Sequence, residues 1–233
     1  MGTEAKVEAW DESYTRRENH VFSPSEEVVR FVARHLRRRI GLDEIVDVLP
    51  GAAGMRVLDV GCGIGRHLIY GQQMGLSMYG IDLSSEAVRV AREWLQRIHV
   101  DDAEGRAVVG DVRALPWPDR HFDHALSDGV LDSMTFEIAC AGVADLARVL
   151  KPAGLFYCSV ISGDQTGLEP AFAGERIIRD QHERGTVQSY FDEAKIARML
   201  GAPFVVDSIE LVRHEDLTRQ RHHGRWHMVA RRR

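Results

Sequence analysis

The residues with the clearest capacity for chemistry begin at Val57-Leu-Asp-Val-Gly-Cys-Gly-Ile-Gly65, where an apolar run passes into closely spaced glycines. Glycines at Gly61, Gly63 and Gly65 let a backbone turn sharply and let a ligand approach with no Cβ in the way. Further along, Tyr79-Gly-Ile-Asp82-Leu83 carries an acid at its end, and Asp111 stands in Gly110-Asp111-Val112. A carboxylate at the end of a strand can accept from both hydroxyls of a ribose, and Asp111 could accept from an adenine amino group. One such Asp is most simply a turn former or a helix cap. A glycine loop together with Asp59, Asp82 and Asp111 on three successive strands is not explained by independent turns. The pattern is that of a nucleoside-binding edge.

The spacing separates this loop from other glycine loops. A dinucleotide fingerprint reads G-x-G-x-x-G, and its third glycine would fall where Arg66 stands. No Gly-Lys-Ser/Thr ending is present, which argues against a triphosphate site.

The elements that must hold these residues alternate. Arg56–Val60 reads as a strand buried on both faces, Arg66–Met74 as a helix closed by Gly75, and Leu76–Ile81 as a second strand. Ser84 caps a helix with Val90, Trp94 and Ile98 inward. Ala107–Val109, Phe122–Ser127 and Leu155–Val160 are further strands, with a helix running to about Leu150 between the last two. Alternation of this kind implies a parallel sheet with right-handed crossovers. A helix at Asp192–Leu200 then leads to Phe204–Val212 and Arg225–Ala230, two strands whose loop of about a dozen residues should pair them antiparallel. Upstream, Ser25 caps a helix with Val28, Val32, Leu36 and Ile40 on one face, carrying the basic run Arg37-Arg38-Arg39. That run is read as a solvated face and not as a nucleic-acid surface.

A chain of 233 residues with 44% apolar and 28% charged residues can bury one core without dividing. A net charge of −5 gives no general pull toward nucleic acid or anionic lipid. Cys62, Cys140 and Cys158 form no CxxC pair, which speaks against a zinc site or disulfides and suits a reducing cytoplasm. No secretory signal and no apolar run of about 18 residues is seen, so a soluble cytoplasmic protein is expected.

The motif V-L-D-V-G-C-G-x-G, with the acids that follow it, resembles the class I S-adenosylmethionine-dependent methyltransferases, in particular their broad small-molecule group. The resemblance carries specific motifs over about residues 55–160. It implies a doubly wound α/β fold with a seven-stranded, mostly parallel sheet whose last strand is antiparallel. It implies S-adenosylmethionine as cofactor, with Asp59 orienting the loop and the cofactor amine and Gly61, Cys62 and Gly63 along the methionine part. Asp82 with Leu83 would hold the ribose end, Asp111 and Val112 the adenine, and Ser127 would lie beneath the sulfonium. Cys62 is read as packing. His67 could reach the cofactor carboxylate or simply pack, and Trp10 and Tyr14 could fold over the cofactor or staple the first helix. No metal is expected: the late histidines His214, His222 and His223 have no ligand spacing.

Residues 1–50 are expected to form an N-terminal helical cap over a core of residues 51–233. An insertion at about 161–189 is expected to contain a helix and to cover the acceptor. Acceptor-side candidates are Asp128, Asp132 and Ser133, then Asp164, Glu169, Glu175, His182 and Glu183, then His214, Glu215, Asp216, His222 and His223. The family commonly has a histidine where Asp132 stands, which puts a catalytic role there in doubt. Tyr190 and Phe191 read as core anchors. A small-molecule acceptor methylated at oxygen or nitrogen is the leading reading. The alternatives are a tRNA or protein acceptor, met by a patch of Arg34–Arg39 and Arg231–Arg233, and a non-catalytic partner subunit. The chain lacks the N-P-P-Y or D-P-P-Y loop of base-amino methyltransferases.

Overall fold

The computed structural model describes residues 3–169, 171–178 and 185–233. In chain order the elements are α1 (Thr3–Thr15), α2 (Glu26–His35), β1 (Arg37–Arg39), β2 (Ile45–Asp47), β3 (Arg56–Val60), α3 (Arg66–Gln73), β4 (Ser77–Asp82), α4 (Ser85–Arg97), α5 (Ala103–Arg106) and β5 (Ala107–Val109). There follow β6 (His124–Asp128), α6 (Phe136–Val149), β7 (Leu155–Gln165), β8 (Glu175–Ile177), β9 (Val187–Ser189), α7 (Glu193–Leu200), β10 (Phe204–Asp216) and β11 (Arg221–Arg232).

Seven strands form the central sheet in the order β10-β11-β7-β6-β3-β4-β5. The pairs among β5, β4, β3, β6 and β7 are parallel, whereas β11 runs antiparallel to both β7 and β10. The expected fold is therefore present, including the reversed last strand. Helices cover both faces. One core joins α6 and α7 to the sheet through Phe122, Leu146, Phe156 and Phe191, and the other joins α2, α3 and α4 through Phe31, Leu68, Val88 and Leu95. Side-chain caps start the helices where the sequence places them: Ser25 accepts from Val28 N, Ser84 from Ala87 N and Asp192 from Lys195 N. Tyr190 and Phe191 are buried, as core anchors.

Several expectations need correction. Helix α2 ends at His35, and Arg37–Arg39 is a strand paired with Ile45–Asp47. The chain leaves the helix at Leu36, whose carbonyl accepts from Val48 and Leu49, and Ile40 points to solvent. Arg37 pairs with Asp47 at 2.7 Å and donates to the Met74 carbonyl. On α4 the inward face is Ala87, Val88, Ala91 and Leu95, with Val90, Trp94 and Ile98 only half-buried beside it. The small side chain at Ala91 is what allows Gly65 to sit against this helix: a Cβ at Gly65 would stand 3.1 Å from that of Ala91.

The last two strands are longer than expected. Pairing continues to Asp216↔Arg221, so most of the expected loop is a hairpin, and β7 extends to Gln165 because β11 offers it a partner at His223. Among the described residues, the segment 161–189 holds no helix. It continues β7 and then forms the antiparallel pair β8–β9. Buried Lys195 ties it to α7, donating from Nζ to the Ala173 and Tyr190 carbonyls and to Ser189 Oγ at 2.8–2.9 Å. No helix of the described chain is long and apolar enough to cross a membrane.

Candidate cofactor-binding site

β3 delivers the chain into a loop that only glycine can follow. Gly61, Gly63 and Gly65 have φ of +76°, +52° and +89°. A Cβ on Gly61 would lie 2.3 Å from Val130 Cγ1. Gly61 N and Cys62 N both donate to the Ile81 carbonyl, which binds the loop to β4. Cys62 packs on Gly80, and burial, with Asp82 and Asp59 nearby, pushes its thiol well above the usual range, so it is no nucleophile at neutral pH.

Asp82 closes the loop. Its Oδ2 accepts from Gly63 N at 2.8 Å and its Oδ1 from Ser84 N at 2.9 Å. Burial raises this carboxyl to about 6, against the two backbone bonds that favour its charge. At the next strand end Asp111 is bound by Arg113, whose Nε lies 3.0 and 3.1 Å from its two oxygens.

These groups open on a cavity of about 410 Å³, lined on the sheet side by Gly61, Cys62, Gly63, Asp82, Leu83, Asp111 and Val112. Seven of the nine residues expected to hold a cofactor thus converge on one space. Asp59 and Ser127 lie one layer behind it. Ser127 is fully buried and donates to the Val60 carbonyl at 3.1 Å. Asp59 is 1% exposed, and its Oδ2 has no hydrogen-bond partner, with His67 Nδ1 3.6 Å away. A buried carboxylate oxygen without a donor, behind a wall that also carries Asp82, Asp111 and Asp128, suits a ligand bearing positive charge.

The remaining walls hold residues that motif reading left aside or open. Trp10, Tyr14, Asn19 and Val21 line the cavity from the N-terminal segment, and Arg66, His67, Asp128, Val130, Ser133 and Met134 from the far side. Helix α1 is fastened across it by Asp11, which accepts from Ser85 Oγ and Glu86 N at 3.2 Å and also from Ser84 Oγ. The signal for Arg66 and His67 was their place in the first turn after the loop. Nothing local marks Val130, whose role is set by its packing on Gly61.

Asp128 accepts from Ser159 Oγ at 2.6 Å and pairs with Arg66 at 3.2 Å. Burial opposes its charge, but His67, the Ser159 and Ser25 hydroxyls and Arg66 outweigh this and hold it below the usual carboxylate range. Asp132, placed among the acceptor candidates, does not reach the cavity. It is 1% exposed and accepts from Ile161 N at 2.7 Å and Arg225 Nη1 at 2.9 Å, joining the loop after β6 to β7 and β11. Burial raises it, with Arg225 opposing.

None of the described residues of 161–189 lines the cavity, so the expected cover is not built from them. Asp164 pairs with Arg213 and His222, and Glu175 accepts from Phe136 N. His214 and His223 stack on each other at 5.1 Å along the β10–β11 hairpin, away from the cavity, where Glu215 and Asp216 also lie. His182 and Glu183 lie outside the described residues. Among the described residues no group of three or more His, Cys, Asp or Glu is placed to hold a metal.

Comparison with known proteins agrees with this geometry. A methyltransferase-domain family model matches residues 57–154. The chain is 28% identical over 138 residues to a malonyl-[acyl-carrier protein] O-methyltransferase of Pectobacterium atrosepticum, covering 59% of this chain and 51% of that protein. It is 30% identical over 209 residues to a sterol 24-C-methyltransferase of Gibberella zeae, covering 84% and 48%. The chain therefore spans about half the length of these relatives. Its fold is like that of the Burkholderia thailandensis 1,6-didemethyltoxoflavin-N1-methyltransferase, with a TM-score of 0.62 at 20% identity over 99% of this chain and 86% of that one. The glycine loop, the strand-end acids and the reversed seventh strand, with the methyltransferase-domain match over residues 57–154, are consistent with a class I S-adenosylmethionine-dependent methyltransferase.

Proposed function

We propose that this chain transfers the methyl group of S-adenosylmethionine to an oxygen or nitrogen of a small or medium-sized molecule, and that it works in the cytoplasm. The reading also takes residues 1–50 as a cap on the core that follows. The observation that carries it is the convergence of the glycine loop, Asp82, Asp111 and Val112 on one cavity closed by α1. When bound, S-adenosylmethionine supplies a methyl carbon already activated for in-line displacement. The protein's own share is then alignment and exclusion of water.

Asp82 has the capacity for the ribose: an ionised carboxylate accepts about four hydrogen bonds, and two come from the backbone here. Asp111 is the acceptor for an adenine amino group, with Leu83 and Val112 as apolar surface beside it. Gly61, Cys62 and Gly63 present backbone to the methionine part. Asp59 and Ser127 act from behind, Asp59 by its charge and Ser127 by holding the end of β3. Trp10 and Tyr14 exclude water above. Asp128, ionised and on the acceptor side, is the lining carboxylate available to orient an acceptor.

The tRNA or protein reading has less support. Arg37 is committed to Asp47 and Met74, Arg231 to Asp207, and Arg232 donates to the Ala147 carbonyl. The relatives named above act, by their names, on an oxygen, on a carbon of a sterol and on a nitrogen, so oxygen or nitrogen is a choice of this proposal. The three cysteines are unpaired, in keeping with a reducing compartment.

The test begins with calorimetric titration of the protein and of Asp82→Ala with S-adenosylmethionine, S-adenosylhomocysteine and NAD. Micromolar binding of the first two, lost in the variant and absent for NAD, is the expected result; NAD binding or no binding would overturn the reading. Labelled methyl transfer into small-molecule, tRNA and protein fractions then separates the acceptor classes. Binding without transfer to any fraction would favour the partner-subunit alternative.

A further inference from the structure

β10 is the outermost strand of the seven-stranded sheet, and among the described residues no strand pairs with its outer edge. Of its 13 residues only Phe204 is buried, whereas β11 beside it buries Gly224 and Met228–Ala230. An unpaired edge exposes a row of backbone N–H and C=O groups, which native proteins usually shorten, bend or charge. Here those devices stand at the two ends of the strand. A bulge shifts the register between Val206 and Ser208, and Arg213-His-Glu-Asp216 carries charge at the far end. Between them Ser208–Val212 pairs regularly with β11.

Alternation along the last two strands fixes which way each residue of that stretch turns. Arg232 exchanges two backbone bonds on the β7 side, donating to Gly154 at 2.9 Å and accepting from Ala153 at 2.8 Å. Counting back by twos, Ala230 and Met228 turn their backbone groups to β7, and Val229 and His227 turn theirs to β10. Their partners Ser208 and Glu210 are therefore spent inward, while Ile209 and Leu211 present N–H and C=O outward. The side chains follow the same alternation. Ile209 and Leu211 stand opposite Met228 and Trp226, on the face of the core that holds Phe156 and Phe191. They nevertheless remain 38% and 40% exposed. Ser208 and Glu210 lie on the other face. The residues with outward backbone groups are thus also the ones with exposed apolar side chains.

A second copy of the strand, run antiparallel, fits this stretch in one register. With Glu210 on the two-fold axis, Ile209 meets Leu211 of the copy and Leu211 meets its Ile209. That sets apolar against apolar on one face, in positions whose backbone groups pair by hydrogen bonds. Asp207 falls opposite Arg213 of the copy, giving opposite charges at each end. Glu210 opposes itself on the polar face, where His227 stands beside each. Any other centre within the stretch sets Ile209 or Leu211 against a charged residue. We propose that β10 is a self-association edge, through which two copies of this chain pair antiparallel over Ser208–Val212 and continue the sheet across a two-fold axis. The inference stands apart from the methyl-transfer reading, because β10 does not line the cavity.

Sedimentation equilibrium of the full chain at tens of micromolar tests the surface. A particle of twice the 26.2 kDa chain mass is expected. Ile209→Lys places a charge at the seam, and it is expected to sediment as a monomer with its urea midpoint unchanged. The register is tested by cysteine. Opposed residues at a non-hydrogen-bonded position bring their Cβ atoms to about 4.5–5.5 Å, so Glu210→Cys is expected to form a covalent dimer under mild oxidation. Val212→Cys, which faces Ser208 of the copy, is expected to stay uncrosslinked, as is the wild type with its own three cysteines.

A monomeric wild type overturns the inference, including the case in which the edge pairs with some other protein. It is equally overturned if Ile209→Lys remains a dimer. The same holds if Glu210→Cys and Val212→Cys behave alike, whether both crosslink or neither does. Should Ile209→Lys unfold, the two cysteine variants decide alone.

Discussion

The two ends of the cavity are built in different ways, although both lie at the same edge of the sheet. At the glycine loop the decisive contacts join residues close in sequence: Asp82 accepts from Ser84, two residues on, and from Gly63, 19 residues back. At the end of β6 the contacts join residues far apart in sequence. Arg66 and Asp128 are 62 residues apart, and Asp132 and Arg225 are 93 apart. The first end is a local turn that packing tightens. The second exists only once β6, β7 and β11 lie side by side.

The sharpest way to break the local end is Gly61→Ala. A Cβ there would stand 2.3 Å from Val130, at a φ of +76°. Strain and overpacking together should cost about 2–4 kcal/mol in urea unfolding, with cofactor binding lost. Unchanged stability would show that the loop is softer than its contacts imply.

The long-range end should break at Asp132→Ala, which leaves Arg225 without its carboxylate and Ile161 N without its acceptor. Because a third of the Arg225 side chain reaches solvent, the full cost of an orphaned buried charge is discounted to about 2–3 kcal/mol. Cofactor affinity should barely move, since Asp132 does not line the cavity. A loss of affinity larger than the loss of stability would mean that the two ends are coupled.

A smaller effect concerns pH. In the role proposed for it, Asp82 accepts from a ribose as a carboxylate, and burial raises its carboxyl to about 6. Its charge is therefore lost as pH falls through that value. Affinity for S-adenosylhomocysteine should weaken about tenfold from pH 7.5 to pH 5, a fall that Asp82→Asn should abolish while binding weakly throughout. A flat profile in the wild type would show that ligand contacts have already lowered the group. The smallest effect is expected from replacing residues 179–184 by two glycines. None of the described residues around that point lines the cavity, so calorimetry should find cofactor affinity essentially unchanged.

How much was legible follows the same division. Val57–Gly65, Asp82 and Asp111 could be read because glycine spacing and an acid at a strand end are local signals. The strand alternation was equally plain, and the tail's reversal followed from two strands with no helix between them. The misreadings share a cause. Arg37–Arg39 continued a helical period in sequence, but Ile45–Asp47 offered strand pairing a few residues later. Asp132 had the right residue type in the right segment, yet β7 and β11 claimed it. The segment 161–189 was long enough to suggest a lid, and its length carried no information about direction.

What the sequence by itself determined is the α/β fold and the glycine loop that opens on the cavity, because local periodicity and glycine conformational freedom act within a few residues. Tertiary structure alone decided which acids face the cavity and which are spent as ties. It also turned Trp10, Tyr14 and Arg66 toward the same space. Those choices depend on which backbone groups and charges meet across distant strands, and burial makes each such meeting costly to leave unpaired.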